Sequence, residues 1–288
     1  MDLQAKTISA AIVLSLLWLA EGWVPFYAEF RDGFRDRLRH DAKNLAFGLL
    51  NAALLALLFG GAFALLEAWS HGASFGLLRL LSWSNWAESL LGLALFDFWM
   101  YLWHRANHAI PFLWRFHRTH HSDPEMDAST ALRFHIGEVC LSAVARLLVV
   151  PVLGIALWQL ALYEAVFLPV VLFHHSNVRL PRWLAHGLLA VIVTPAMHRV
   201  HHSRWRPETD SNYGSVFPYW DLLLGTFRLR KDARTIHLGL DEFDAPKWQS
   251  FLGMLRTPLA TLARPDPSPG QSNRETSVDE ATRALVRK

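Results

Sequence analysis

The chain has 288 residues, 52% of them apolar, with 13 Trp, 18 Phe and a formal charge of +3. That apolar load is high for a soluble protein of this length, and the small charge forms no basic stripe, which excludes a nucleic-acid partner. The single cysteine, Cys140, excludes an intrachain disulfide and a cysteine-rich metal site, so any metal falls to the 15 histidines.

The first apolar run, Thr7 to Tyr27, lacks a small-residue cleavage pattern and reads as a membrane helix with Glu21 near one end. RDGFRDRLRHDAKN (31–44) reads as a short basic loop, and Arg31, Arg35, Arg37, Arg39 and Lys43 place it on the cytoplasmic side. Asn44 to Leu66 carries no charge and is long enough to cross about 30 Å of hydrocarbon. His71, Gly72 and Gly76 then mark a turn outside, and a third run from Leu80 to Trp103 returns with Glu88 and Asp97.

The histidines follow. HxxxH spans His104 and His108, HxxHH spans His117, His120 and His121, and His135 closes an RFH element. His174 and His175 form a pair, and HRxHHS returns at His198, His201 and His202. Residues three and four apart share a helix face, so each box aims imidazoles at one point. The isolated His40, His71, His186 and His237 are read as ordinary core or surface residues. Asp97 lies seven and eleven residues before His104 and His108, on the same helical face. It is expected to orient a ligand imidazole, a capping or solvated acid being the plainer alternative. Asn212 is the other candidate for that supporting role.

Val139 to Phe173 is apolar again, interrupted by Arg146, Pro151, Gly154 and Glu164. If His135 and His175 serve one site, this run must enter and return, as a tilted or re-entrant hairpin bending at Pro151–Gly154 whose halves are each somewhat short for a span. Trp183 to Thr194 is too short to span and is expected at the interface or capping the site. The chain divides into membrane helices with a basic loop (1–79), a catalytic domain (80–230) containing the hairpin 139–173, an extension (231–263) and a disordered tail (264–288). The fold expected is all-α: a polytopic bundle of four to five membrane helices, some re-entrant, under a cytosolic helical cap of histidine boxes.

So many clustered imidazoles would repel one another when protonated and lack partners when neutral. A transition metal resolves this, and their number suits two ions better than one. Imidazole does not choose among zinc, copper, iron and nickel. A bis-histidine heme electron carrier, a metal carrier and a zinc-dependent membrane enzyme stand as rivals to an O2-activating centre acting on a lipid.

HRANH (His104 to His108), FHRTHHSD (Phe116 to Asp123), RFH (Arg133 to His135), HSN (His175 to Asn177) and TPAMHRVHHS (Thr194 to Ser203) together resemble the sterol desaturase/fatty acid hydroxylase family of membrane-bound di-iron oxygenases. NYG (Asn212 to Gly214) and WDLLLGTF (Trp220 to Phe227) extend the likeness. The resemblance implies two iron ions, with zinc possible in their place, held by His104, His108, His117, His120, His121, His175, His198, His201 and His202. His135 is a tenth candidate, and His174 a lesser one. It further implies hydroxylation or desaturation of a sterol, fatty acyl or related lipid with O2. Two electrons would come from a separate ferredoxin, reductase or cytochrome b5-type donor, since the chain shows no redox domain of its own. The histidines and C-terminus would face the cytoplasm. Trp99, Tyr101, Trp103, Phe112 and Trp114 are expected to anchor helices at the interface rather than wall a pocket. Arg105, Arg118 and Arg199 are expected to pair with acids such as Asp123, Asp127 or Asp210.

Overall fold

A computed structural model describes residues 3–28, 33–70, 75–80 and 84–261. The expected tail 264–288 and the His71–Gly72 turn lie outside them. Among the described residues no β-strand forms, and the chain is a helical bundle. Eight helices carry the architecture: α1 (Leu3–Trp23), α2 (Phe34–Ser70), α3 (Asn85–Ala109), α4 (Pro111–His121), α5 (Ile136–Leu153), α6 (Leu157–His175), α7 (Arg182–Leu189) and α8 (Pro195–His201). Three of them, α2, α5 and α6, are long and apolar enough to cross a membrane, where four to five were expected. The apolar part of α1, Thr7–Trp23, is shorter, and α3 carries Glu88, Asp97 and a polar last turn. Ile8, Ile12, Leu16 and Leu19 of α1, and Leu49, Leu57, Leu58 and Leu65 of α2, are exposed, as a lipid-facing surface requires.

Two expectations change here. The basic segment is not a loop from Phe34 onward but the first turns of α2, which runs 37 residues. No breaker follows Gly33, and Arg37 meets Asp41 one turn on at 3.7 Å. At 1.5 Å per residue α2 is about 55 Å long, well beyond the hydrocarbon thickness, so its polar start reaches the histidine end and buries His40 and Asn44 there. The chain turns between α5 and α6 at Gly154, which caps α5 in the left-handed conformation (φ 76°) that glycine adopts without strain. The two arms are 18 and 19 residues, long enough to span rather than somewhat short, because both helices continue to the histidine end.

The breaks between elements are local. Ile110 ends α3 in an extended conformation and Pro111 opens α4 at its first turn, where a missing N–H costs nothing. Pro195 does the same for α8. The largest apolar core joins α3, α5 and α6 through Phe96, Met100, Val150, Leu160 and Tyr163. Glu21, expected as a costly charge at a helix end, is buried and accepts from the backbone N–H groups of Ala128 and Asn177, both at 2.8 Å, with Arg37 at 3.1 Å. It fastens α1 to the chain just after two histidine segments.

Candidate metal centre

The histidines converge in two clusters. His104, His108, His117, His121 and His201 form the first, and His120, His175, His198 and His202 the second. Within each, the candidate ligand nitrogens lie within 4.8 Å of one another. The clusters abut, His121 stacking on His202 with ring centroids 4.4 Å apart.

Their construction explains the HxxHH spacing. On α4 the i,i+4 pair His117 and His121 shares one face and enters the first cluster, while His120 turns to the second. At α8 the pattern reverses: His198 and His202 enter the second cluster and His201 crosses to the first. Each box thus gives a pair to one cluster and its middle histidine to the other. His104 and His108, again i,i+4 on α3, complete the first, and His175 at the end of α6 completes the second.

Hydrogen bonds behind the imidazoles set their tautomers. The Nδ1–H groups of His104 and His201 donate to the carbonyls of Tyr213 (3.0 Å) and Ser211 (2.7 Å). His117 Nδ1 faces Glu138 Oε1 at 2.8 Å, and His108 Nδ1 lies 3.4 Å from Asp210. His175 Nδ1 donates to Val171 O at 2.7 Å. Such contacts leave Nε2 as the lone-pair nitrogen turned inward. Burial, with the neighbouring imidazoles behind it, holds His104, His120, His121, His198, His201 and His202 well below their ordinary range. They are neutral at neutral pH, the form that binds metal.

These residues fit a pair of transition-metal ions. The Nε2 atoms of His104 and His201 and both ring nitrogens of His202 are buried with no hydrogen-bond partner. His175 Nε2 lies 3.1 Å from His120 Nε2 and 3.0 Å from His198 Nε2, and His117 Nε2 lies 3.2 Å from His121 Nε2. Two nitrogens bound near a right angle to one ion at about 2.1 Å stand about 3 Å apart, so the spacing is that of shared ligands.

Other candidates sit elsewhere. His135 joins neither cluster. Its Nδ1 accepts from Gly137 N (2.9 Å) as the cap of α5, and its Nε2 faces Leu255 O (3.2 Å), so both nitrogens are engaged. The other residues of RFH frame the site: Phe134 stacks on His120 at 4.2 Å, and buried Arg133 donates to Thr119 O and Ser122 Oγ. His174 packs on His198 at 4.0 Å but supplies no clustered ligand atom. Asp97 touches no imidazole and is not solvated. It accepts from Tyr163 Oη (2.6 Å), Trp220 Nε1 (2.8 Å) and two backbone N–H groups, stapling α3 to α6 and to the NYG loop. Asn212, in the left-handed region (φ 56°), donates to Met197 O and Arg228 O. It supports the imidazoles indirectly, by holding the loop whose carbonyls meet His104 and His201. Gly214 has no room for a side chain, since a Cβ there would lie 2.8 Å from Asp221 Oδ2.

Glu138 is the contact that sequence reasoning missed. The one signal was an acid three residues after His135, in the first turn of a helix whose only other charge is Arg146. Two of the arginines expected to meet acids have backbone carbonyls as partners, with Glu242 acting on Arg118 and Glu21 on Arg199. Arg118 donates to Thr257 O and Ala260 O, and Arg199 donates to Ser176 O and Val178 O. Asp123 is instead paired with His40 at 2.9 Å, while Asp210 also meets Arg206 at 3.2 Å. Burial opposes ionisation of Asp123, but His40 and Arg133 outweigh it and hold the carboxyl well below its usual range. Tyr101 and Trp114 are buried against Tyr213 and His108, so they wall the centre rather than anchor it; Phe112 stays exposed.

A cavity of about 500 Å³ opens onto both clusters. His104, His117, His120, His175 and His198 line one end, and side chains of α2, α5 and α6 line much of the rest, mostly apolar ones such as Leu55, Phe63, Ala143, Leu160 and Phe167 but also Ser142, Arg146 and Glu164. α5 packs on α2 and α6 on α1, and α3 packs against both.

A helical membrane bundle with two imidazole clusters beneath a largely apolar cavity has a lining that could hold metal. Residues 89–226, just under half of the chain, match the fatty acid hydroxylase family model. It is 32% identical over 187 residues to ornithine lipid hydroxylase OlsE of Rhizobium tropici, covering 63% of this chain and 53% of that one. It is 31% identical over 174 residues to alkylglycerol monooxygenase of Homo sapiens (57% and 35% covered). Against cholesterol 25-hydroxylase of Rattus norvegicus it is 27% identical over 153 residues (52% and 50% covered). The chain thus spans about half or less of the length of these relatives. No solved structure matches it.

Proposed function

We propose that this chain is a membrane-bound di-iron oxygenase that hydroxylates a lipid with O2 and two electrons from a separate ferredoxin, reductase or cytochrome b5-type donor. The observation that carries this reading is the meeting of nine clustered imidazoles with the end of a lipid-sized apolar cavity. The relatives' names, hydroxylases and a monooxygenase of three different lipids, point the same way. Iron bound in the two clusters would supply the O2 activation needed to attack an unactivated C–H bond.

The chain's own contribution is placement. Leu160, Phe167 and their neighbours take up the apolar body of the substrate and exclude water from the reacting end. Tyr213 O, Ser211 O and Glu138 keep Nε2 of His104, His201 and His117 pointing inward. The clusters and the C-terminus are proposed to face the cytoplasm, because Arg35, Arg37, Arg39 and Lys43 gather at the same end of α2. A heme would need two histidines facing across a slot, which neither converging cluster offers.

The test is metal content of detergent-purified protein expressed with added iron, read with optical absorption. About two irons per chain without a Soret band is expected. Heme, or no metal in a folded sample, would overturn the reading. Two zinc ions would remove its redox chemistry. A reporter fused after Lys288 should read cytoplasmic, and the opposite result would reverse the sidedness.

A further inference from the structure

The cavity holds one charged pair away from the histidines. Arg146 of α5 and Glu164 of α6 both line it, with Arg146 Nη1 donating to Glu164 Oε1 at 3.2 Å from one arm of the hairpin to the other. Each lies near the middle of its helix. Glu164 is eleven residues before His175, so about 16 Å of α6 separates the pair from the second cluster. Ionisable groups at such depth are costly and mark functional positions.

Beyond that ion pair the guanidinium has donors to spare. Arg146 Nε is buried without a hydrogen-bond partner, Nη2 meets the Met100 thioether, a weak acceptor, at 3.6 Å, and the guanidinium carbon lies 5.8 Å from the centre of the Phe96 ring. In hydrocarbon no water satisfies such a donor. An oxygen brought in by the substrate would.

We propose that Arg146, held by Glu164, binds the single polar oxygen of a neutral lipid whose reacting carbon reaches the histidines about 16 Å away. This rests on the oxygenase reading and names its substrate class: a lipid with one hydroxyl or carbonyl remote from the carbon attacked. The paired charges cancel, so a neutral acceptor suits the site. A carboxylate would meet Glu164, and a phosphate headgroup would have to leave the membrane surface. Ser142, one turn before Arg146 on the same wall, adds a second small polar contact.

The test measures binding of radiolabelled octadecanol, octadecane and distearoyl phosphatidylcholine to the full-length protein in detergent, both iron-loaded and metal-free. Octadecanol should bind about tenfold tighter than octadecane, the effect of one hydrogen bond to a charged group. Arg146→Met should bring the alcohol down to the alkane without changing alkane binding or metal content. A mere clip would weaken both ligands together. If the single variant does not fold, Arg146→Met with Glu164→Leu removes both charges and carries the same expectation. Equal binding of alcohol and alkane by the wild type, or tightest binding of the phospholipid, overturns the proposal. Because binding is read without turnover, loss of selectivity in iron-loaded protein sinks this inference alone. Absence of iron sinks the oxygenase reading alone.

Discussion

The two clusters are made of the same residue and differ in what stands behind it. In the first, His104, His117 and His201 each have an outer hydrogen bond of 3.0 Å or shorter, to Tyr213 O, Glu138 and Ser211 O. In the second, only His175 has one, to a carbonyl of its own helix. Nδ1 of His120, His198 and His202 has no such partner, and these rings are held by packing on Phe134, His174 and His121. The first cluster is therefore preorganised by hydrogen bonds and the second by ring contacts. Outer hydrogen bonds fix orientation and raise ligand basicity, so the first cluster is expected to hold its ion more tightly.

The largest effect should come from the crossing histidines. His201→Ala removes a first-cluster ligand and His120→Ala a second-cluster ligand, although each sits in the opposite box. Each variant should lose about one ion per chain and, on the proposed function, all hydroxylation, while still inserting into membranes. Elemental analysis of the purified variants decides this. Two ions retained in both would dissolve the cluster assignment. Next in size is Glu138→Leu, which strips the carboxylate from His117. Metal affinity of the first cluster should fall by about 10- to 100-fold, with the second unchanged. Chelator-driven release, biphasic in the wild type, should then collapse toward one phase. Two phases as well separated as before would break the comparison.

Acid should act on both clusters in one direction. The folded chain holds the six depressed imidazoles well below 6.5, their value when exposed. Below that pH the unfolded chain binds protons that the folded chain does not, so stability of the metal-free protein falls as pH falls through 6.5 and is flat above it. Thermal unfolding of the stripped protein across that range checks the sign, and stability rising on acidification would contradict it.

Most of the histidine clustering was legible in sequence because helical periodicity couples spacing to direction. HxxxH and HxxHH say which imidazoles share a face, and the nine clustered residues follow from that and from the family pattern. What periodicity could not supply is which partner an acid or a spare histidine finds across the fold. Asp97 lies on the face of His104 and His108, yet Tyr163 and Trp220 arrive from other elements and take both its oxygens. His135 belongs to the motif, yet α5 begins at the next residue and turns its ring into a cap. Glu138 left only a faint trace, since its target, His117, is 21 residues away on another helix. The hairpin was visible in Pro151 and Gly154. The length of α2 was not, because charge reads as a loop until a tertiary partner such as Asp123 meets His40.

The smallest predicted effect tests the ring-held cluster most directly. Phe134 lies nearly parallel to His120, with centroids 4.2 Å apart and planes at 13°. It is the face on which that imidazole rests, and no hydrogen bond to Nδ1 stands in for it. Phe134→Leu keeps an apolar wall but removes the stacking surface, a contact worth about 0.5–1.5 kcal/mol. Affinity for the second ion should drop by about two- to tenfold, with the first ion untouched. Titrating metal back into stripped protein separates the two steps. A change confined to the first step would mean that hydrogen bonds and ring contacts do not divide the clusters as their surroundings imply. Two unchanged steps would mean that ligation alone, without the Phe134 face, orients His120.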